Sequence, residues 1–371
     1  MNSIKNKKGF TLIELLAVII ILGVLLLIAV PSISKYIENS RKNTYINSIK
    51  TMVNAVSTSV NALDLPFNIG KNEGIIVPFS EIELEKKAST KRSPYSEWNA
   101  HKSYVLVIFD GEMYKYYISA VDQTGYGIPM VYEKSLSSNS ITTDKNLLSR
   151  NAISYKNIID SAGSNTTFDT DSLTMQYVNH SGNYVKIKVG HATYNMGNIV
   201  ALKDGSKWFV IDNSTIDDDR VNLVSYYSMD TNSSRYGIQS SSNPKIKFHH
   251  AQQNPANYET ADIYAIANSI ISATQVELVS NGIDMTEATV KMPEISDFTC
   301  TSTTCNCCFR GGEGIKFWTT SVNPINTEYI YTITSGGIGN TTTENANVGI
   351  RIVIKDLLKS NIDKVATKAL N

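Results

Sequence analysis

The stretch KKGFTLIELLAVIIILGVLLLIAVPSISKYIENSRK, residues 7–42, contains a long apolar run with one charge inside it. Phe10 to Val30 is 21 residues, and Glu14 is the only charged residue among them. A helix of that length spans about 30 Å, the thickness of the hydrocarbon core of a bilayer. An ionised carboxylate inside such a segment costs about 3 kcal/mol on insertion scales. The presence of Glu14 in a membrane segment therefore requires an explanation.

Three interpretations of this segment compete. A secretory signal peptide has a shorter apolar core and ends at a small-residue cleavage site, and the segment has neither feature. A plain transmembrane anchor leaves Glu14 and the Gly9–Phe10 junction unexplained. The third interpretation explains both, because KKGFTLIELLAVIIILGVLLLIAVP resembles the class III signal of type IV pilins and related pseudopilins.

In that family a prepilin peptidase removes a short basic leader after a glycine, and the new terminal residue is N-methylated. The resemblance assigns residues 1–9 to the leader, with Lys7 and Lys8 as its charges. It assigns cleavage to the bond between Gly9 and Phe10, and methylation to Phe10. Residues 10–30 then form the transmembrane part of the mature chain.

An acid five positions into the mature chain is characteristic of the family, and here it is Glu14. Cleavage creates a cationic amine at Phe10, and pairing that amine with Glu14 of a neighbouring subunit neutralises both charges as the helices pack. Breaking a buried ion pair by removing one partner costs about 3–5 kcal/mol. Pro31 stands where the family often has a helix-bending proline, and we expect it to kink or locally unwind the helix. The resemblance thus implies that Phe10, Glu14 and Pro31 serve filament assembly.

Beyond the membrane segment the helix is predicted to continue to residue 63 and to pack under a β-sheet. Apolar residues recur there at spacings of three and four, which places them on one face of a helix. They are Ile46, Ile49, Val53, Val56, Val60 and Leu63. Leu65-Pro66 is expected to end the helix, since the residue before a proline is biased against helical geometry.

Residues 64–133 are predicted to form an antiparallel β pilin head. Two strand-like runs, SYVLVIF and EMYKYYISAV, flank an Asp-Gly turn at 110–111, which is a strong hairpin pattern. Alternation predicts Tyr114 and Ile118 on one face of the second strand. A long helix followed by a β-meander is the element order of a pilin head.

Residues 134–182, rich in Ser, Thr, Asn and Asp, are predicted to be a connector with one weakly helical stretch over 146–162, and residues 183–371 a second α+β domain. Strand-like runs in that domain include NYVKIKV, GNIVAL, KWFVIDN and RVNLVSYYSM. A helix is predicted over 260–280, and an amphipathic closing helix over 356–370. The fold class is therefore α+β, with the long N-terminal helix followed by two globular parts.

The second half is also similar to the C-type-lectin-like fold shared with relatives of the formylglycine-generating enzyme. The similarity rests on WFVI, VNLVSYYSM, KMPEISDF, FWTTS and VGIRIVI, in that order. It implies that Arg351 is the arginine of a closing Gly-hydrophobic-Arg-Pro-Val strand, although Ile352 stands where the proline is expected. The calcium-binding lectin signatures and a formylglycine cysteine pair are absent from the sequence, so no activity follows from the resemblance.

The cysteine cluster CTSTTCNCC is the most distinctive feature outside the N-terminus; it comprises Cys300, Cys305, Cys307 and Cys308. On the exported side of a membrane such a cluster most often forms two disulfides. Three connectivities remain open, and a bond between the two adjacent cysteines is the most strained. A zinc site is the alternative, but the spacing crowds the four thiolates more than two separated C-x2-C knuckles do.

Charge and motifs argue against nucleic-acid binding and catalysis. The 34 Lys and Arg balance the 34 Asp and Glu, and without Lys5, Lys7 and Lys8 of the leader 31 basic side chains face 34 acidic ones. No G-x-S-x-G, H-E-x-x-H or paired-acid motif is present. His249 and His250 would point to opposite faces of a strand, which makes them a poor metal pair. We therefore predict no catalytic residue, metal or cofactor.

The sequence predicts a structural subunit of a type IV pilus-like surface filament, of the minor or tip type and adhesive. Its expected partners are the prepilin peptidase, other pilin subunits and a surface ligand, with nucleic acid only in a DNA-uptake pilus. Its expected location is the cytoplasmic membrane before assembly and the bacterial surface afterwards. The alternatives are a pseudopilin of a type II secretion-like or competence machine, and a membrane-anchored binding domain that does not polymerise.

Overall fold

The computed structural model describes residues 11–82, 92–162, 166–298, 316–334 and 337–367. The chain divides into two compact units, Met1–Val189 and Gly190–Asn371. Each unit combines helices with antiparallel sheets around hydrophobic cores of its own. The predicted α+β class is confirmed.

A single helix of 50 residues dominates the first unit. The elements of this unit are α1 (Leu12–Asn61), β1 (Glu73–Pro78), β2 (Tyr104–Phe109), β3 (Tyr114–Val121), β4 (Gly127–Tyr132), α2 (Lys145–Asn151), α3 (Tyr155–Asp160), β5 (Thr167–Asp169), β6 (Thr174–Ser181) and β7 (Tyr184–Gly190). At 1.5 Å per residue α1 is about 75 Å long. Its second half carries the predicted apolar stripe, and Tyr45 and Met52 are buried with it. Leu63 does not belong to that stripe, because it follows the end of α1 with a positive φ of 57° and is 82% exposed.

The seven strands form one antiparallel sheet in the order β4-β3-β2-β1-β7-β6-β5. The predicted hairpin joins β2 and β3, and its turn is held by Asp110, whose Oδ1 accepts from the N–H groups of Glu112 and Met113 at 2.9 Å each. Gly111 adopts a φ of +105°, which a glycine reaches without steric penalty. As predicted, Tyr114 and Ile118 share the face that packs on α1.

The other face of this sheet is also covered, and that finding corrects the predicted connector. Residues 134–182 contain α2, α3, β5 and most of β6, and Tyr155 and Ile158 of α3 are buried against β1, β2 and β7. β7 pairs with β1 in the first sheet, whereas the sequence analysis placed this strand in the second domain. The helices α2 and α3 fall on the stretch predicted to be weakly helical, residues 146–162, whereas β5 and β6 were not predicted. Asp144 caps α2 by accepting from the N–H groups of Asn146 and Leu147.

An ion pair joins β1 to β7 and gives the first unit a pH dependence. Glu73 Oε2 lies 2.8 Å from Lys186 Nζ and accepts from the N–H of Gly70 at 2.7 Å. Burial opposes ionisation, but these hydrogen bonds and the positive charge outweigh it, so the pKa of Glu73 lies below its ordinary value of 4.5. The ionised form therefore stabilises the fold above pH 4.5, and that contribution is lost as the pH falls through the lowered pKa.

We expect Glu73→Gln to reduce the loss of stability of the first unit between pH 7 and pH 3. Urea unfolding of the full chain at the two pH values, read by a pulse of hydrogen exchange in peptides from β1 and β7, measures that loss for the first unit. Glu112→Gln in the exposed hairpin turn is the matched control and should leave the pH dependence unchanged. An identical acid response in the Glu73→Gln variant and the native chain would contradict this role.

The second unit contains two main sheets and one long helix. Its elements are β8 (Ile199–Leu202), β9 (Lys207–Val210), β10 (Arg220–Ser225), β11 (Ser228–Met229), β12 (Gln239–Ser240), α4 (Ile263–Ser280), β13 (Thr289–Lys291), β14 (Phe317–Val322), β15 (Tyr329–Thr334), β16 (Gly337–Thr342), β17 (Val353–Leu358) and β18 (Ile362–Thr367). The larger sheet has the order β13-β17-β10-β9-β8-β18, and β14, β15 and β16 form the smaller one. The helix predicted over 260–280 is confirmed as α4, with Ile263 and Ile270 in the core.

The predicted closing helix over 356–370 is wrong in the described residues, where the end of β17 and β18 occupy this segment. β18 pairs antiparallel with β8, so that Ile362 faces Leu202 and Val365 faces Val200. The spacing of the apolar residues fitted a helix, but β8 would otherwise present an unpaired strand edge. Pairing with that distant strand overrides the local pattern.

Arg351 is fully buried in the second unit. Its guanidinium lies 5.7 Å from the centre of the Phe209 ring and 5.4 Å from that of Phe317, and Nη1 donates to the carbonyl of Ser225 at 3.1 Å. Contacts of a cation with two aromatic rings compensate part of the loss of hydration. The arginine is thus a core residue, and the lectin-like resemblance that singled it out stays a prediction.

Candidate assembly site

The first half of α1 exposes a continuous apolar surface. Between Leu12 and Val30 large aliphatic side chains are exposed on all sides, with Leu12 85% and Leu27 76% accessible. By length and composition this helix is suited to crossing a membrane. Exposed apolar area of this extent is unfavourable in water and calls for lipid or neighbouring helices as its surroundings.

Glu14 and Thr11 form a reciprocal capping arrangement where α1 begins. Thr11 is the N-cap, and its Oγ1 accepts from the N–H of Glu14 at 3.3 Å. Oε2 of Glu14 in turn accepts from the N–H and the hydroxyl of Thr11, both at 2.8 Å. Such a capping box satisfies donors that the first helical turn leaves free. The carboxylate of Glu14, the fifth residue of the predicted mature chain, is therefore held in the first turn of the helix.

This N-terminal segment matches a known family model. The model described as the prokaryotic N-terminal methylation motif matches residues 4–30. The chain carries the class III signal of a type IV pilin-like precursor. The motif covers the leader and the apolar part of α1, and it points to a structural protein rather than an enzyme. No curated protein and no solved structure matches the chain.

The pilin-like motif and the apolar helix fit anchoring in a membrane, processing by prepilin peptidase and assembly with other pilins. The structure describes two of the predicted assembly residues, Glu14 and Pro31, both in α1. The helix continues without interruption through Pro31, so local unwinding does not occur there. The other predicted site residues lie outside the described part of the chain; they are Lys7, Lys8, Gly9, Phe10, Cys300, Cys305, Cys307 and Cys308. Their roles and the cysteine pairing stay predictions.

An aromatic junction, formed by Tyr45, Phe79, Tyr95 and Trp98, ties α1 to the first sheet. Tyr45 is fully buried, its hydroxyl donates to the carbonyl of Ala120 at 2.9 Å, and its ring meets that of Trp98 edge-on at 4.9 Å. Phe79 contacts the other side of Trp98 at 5.3 Å. Burial raises the pKa of Tyr45 well above its ordinary value, so the hydroxyl stays protonated and keeps donating.

The junction extends along α1 toward the apolar half. The hydroxyl of Tyr95 donates to Oε1 of Glu38 at 3.1 Å, and the Tyr95 ring stacks on Tyr126 at 4.1 Å. The contact of Tyr95 with α1 was not predicted from the sequence. The aromatic residues of YSEW at 95–98 could have indicated a buried contact, because a pair of buried aromatic rings stabilises a fold by more than its buried area alone accounts for. The junction fixes the direction in which the exposed half of α1 leaves the head.

Two histidines that the sequence analysis separated are brought together at the start of α4. The Nδ1 atoms of His249 and His250 both approach Oδ2 of Asp262, at 2.9 Å in the case of His249. The side-chain hydrogen bond from His250 is the main reason that the pKa of Asp262 lies below its ordinary value. The two histidines are not in a strand, so alternation did not apply to them. Among the described residues no group of His, Cys, Asp and Glu is arranged to hold a metal ion.

Proposed function

We propose that this chain is a subunit of a type IV pilus-like surface filament, of the minor or tip type. The observation that carries the proposal is the exposed apolar half of α1 with a single carboxylate, Glu14, held at its beginning. Packing of this helix among neighbouring helices buries the aliphatic surface, at about 25 cal/mol for each Å² removed from water. The large apolar area makes a bundle of such helices favourable.

Glu14 sets the register of that bundle in this proposal. Peptidase cleavage after Gly9 and methylation of Phe10 leave a cationic amine next to Thr11. In the membrane-inserted subunit the carboxylate of Glu14 caps its own helix; in the filament it pairs with the amine of a neighbouring subunit. Because an unpaired charge in an apolar bundle is strongly unfavourable, only one axial stagger satisfies both groups.

The minor or tip assignment rests on the size of the exported part. The first unit already contains a complete head, with a sheet covered on both faces. The second unit, Gly190–Asn371, adds an independent core that assembly of α1 does not require. A subunit that carries such an addition suits a position where the extra unit meets another surface, which supports an adhesive role.

A pseudopilin of a secretion or DNA-uptake machine shares the N-terminal motif and is the second candidate function. Deletion of the coding sequence, followed by counts of surface filaments, exported protein and DNA uptake, separates the two. The proposal expects fewer filaments or filaments that no longer adhere, with export and DNA uptake unchanged. Loss of export or of DNA uptake with unchanged filaments would favour the pseudopilin instead.

A further inference from the structure

A pocket of about 400 Å³ opens in the second unit. It lies between the turn that joins β8 and β9, the strand β12, and the last turns of α4. Sites for small molecules have volumes of roughly 300–1,000 Å³. Neither the aromatic junction nor the assembly residues of α1 take part in it, so filament assembly does not explain it.

The floor of this pocket is held in place by a chain of hydrogen bonds. Nε1 of the buried Trp208 donates to Oγ of Ser206 at 2.8 Å, and that hydroxyl donates to Oδ1 of Asp204 at 2.6 Å. On β12, Gln239 accepts from the N–H of Tyr227 at 2.9 Å and donates to the carbonyl of Lys207 at 2.9 Å. Side chains fixed in this way are pre-organised, which lowers the entropy lost on binding.

The wall beside α4 depends on a glycine. Gly237 has a φ of +90°, and a Cβ at this position would lie 2.8–3.0 Å from backbone atoms of Ala273 and Thr274. Any larger residue would push the segment before β12 away from α4. The glycine thus allows the loop to rest on the helix, and a rigid helix supports one side of the pocket.

The lining of the pocket contains two carboxylates, those of Glu277 and Asp204. Glu277 uses Oε1 to accept from Nδ2 of Asn281 at 3.1 Å, and Asp204 uses Oδ1 for Ser206. Among the described residues, Oε2 of Glu277 and Oδ2 of Asp204 have no hydrogen-bond partner. Tyr227 and Ile238, which is 42% exposed, add apolar surface to the same lining. The pocket therefore offers carboxylate oxygens that can accept from hydroxyl groups of a ligand. Beside them it offers an aromatic ring that can pack on an apolar C–H face of the same ligand.

We propose that this pocket binds a neutral mono- or disaccharide. A sugar combines hydroxyl donors along its edge with an apolar C–H face, which matches the two kinds of surface in the pocket. The lining contains two carboxylates, Asp204 and Glu277, and one ammonium group, that of Lys207, so its net negative charge repels an acidic sugar. Use of the sugar for adhesion rests on the proposed function of the filament, whereas binding itself does not.

Saturation-transfer NMR on the full chain tests the proposal directly. The protein is kept in a zwitterionic detergent without a sugar headgroup, because a glycosidic detergent would compete for the pocket. The probes are lactose, maltose and chitobiose, with glucuronate and putrescine as the anionic and cationic comparisons. We expect at least one neutral sugar to bind with a Kd of roughly 1 mM, and glucuronate to bind about tenfold more weakly.

Two substitutions connect that binding to the pocket. We expect Tyr227→Ala and Glu277→Gln each to weaken sugar binding about tenfold, through loss of the ring face and of the charged acceptor. Tyr227→Phe keeps the ring and should keep most of the affinity. Glu344→Gln, an exposed glutamate of the same unit outside the pocket, is the matched control and should have no effect. Near-UV circular dichroism shows whether each variant is folded. If the Tyr227→Ala variant does not fold, the affinity of the Glu277→Gln variant alone decides whether the sugar binds in this pocket.

Three outcomes would overturn the proposal. The first is that none of the neutral sugars binds at 20-fold the expected Kd, about 20 mM. The second is that putrescine binds as tightly as the best sugar. The third is that the Glu277→Gln variant binds the sugar with unchanged affinity. The measurement uses unassembled protein, so its failure leaves the filament proposal intact. Failure of the chain to enter filaments would equally leave the sugar site standing.

Discussion

Glu14→Ala is expected to remove the chain from sheared filaments almost completely while leaving its amount in the membrane unchanged. In the proposed bundle this substitution strands the amine of a neighbouring subunit in an apolar surrounding. Breaking a buried pair in this way costs about 3–5 kcal/mol. That cost corresponds to a loss of more than about 10² in the association constant. Immunoblots of the sheared and membrane fractions measure the distribution.

Thr11→Ala is the matched control for this experiment. It removes the hydroxyl that caps α1 within the subunit but leaves the Glu14 carboxylate free to pair with a neighbour. If pairing between subunits is the function of Glu14, the Thr11→Ala chain still enters filaments. Normal assembly of Glu14→Ala, or equal loss in both variants, would show that the carboxylate serves only to cap its own helix.

Tyr45→Ala is expected to reduce the free energy of unfolding of the first unit by about 3–5 kcal/mol, the range for removal of a large buried aromatic side chain. The substitution opens a cavity beside Trp98 and leaves the carbonyl of Ala120 without its donor. Hydrogen exchange of peptides from β3, read by mass spectrometry, should accelerate by roughly 10² to 10³. The method separates the first unit from the second, which bulk fluorescence does not.

Two variants show which part of Tyr45 matters. Tyr45→Phe keeps the ring and loses one hydrogen bond, so we expect a reduction of only about 1 kcal/mol. Tyr36→Ala alters the same helix at a position that is 75% exposed and should leave exchange in β3 unchanged. Slow exchange in the Tyr45→Ala chain would mean that the aromatic junction does not hold α1 on the sheet.

The features that could be predicted are those in which local sequence and tertiary structure agree. The methylation motif, the stripe from Ile46 to Val60 and the hairpin at Asp110 each combine several local signals that lead to one structure. The same is true of α4, where periodicity and length both favour a helix. In these segments tertiary packing favours the same secondary structure as the local sequence pattern.

The features that could not be predicted depend on distant partners. β7 completes the first sheet although it follows a polar segment, and β18 is a strand because β8 offers it an edge. His249 and His250 converge on Asp262, which directly precedes α4. The pocket beside Gly237 likewise combines three segments, and none of them carries a recognisable motif. A single sequence gives little information on such pairings, because each is decided by residues far apart in the chain.

Maturation of the chain as a prepilin is measured by mass spectrometry of its N-terminal peptide. The protein is taken from cells in which the prepilin peptidase is active. The account predicts a peptide that begins at Phe10 and is one methyl group heavier than the unmodified form. A peptide that begins at Met1, or one that begins beyond Val30, would contradict it.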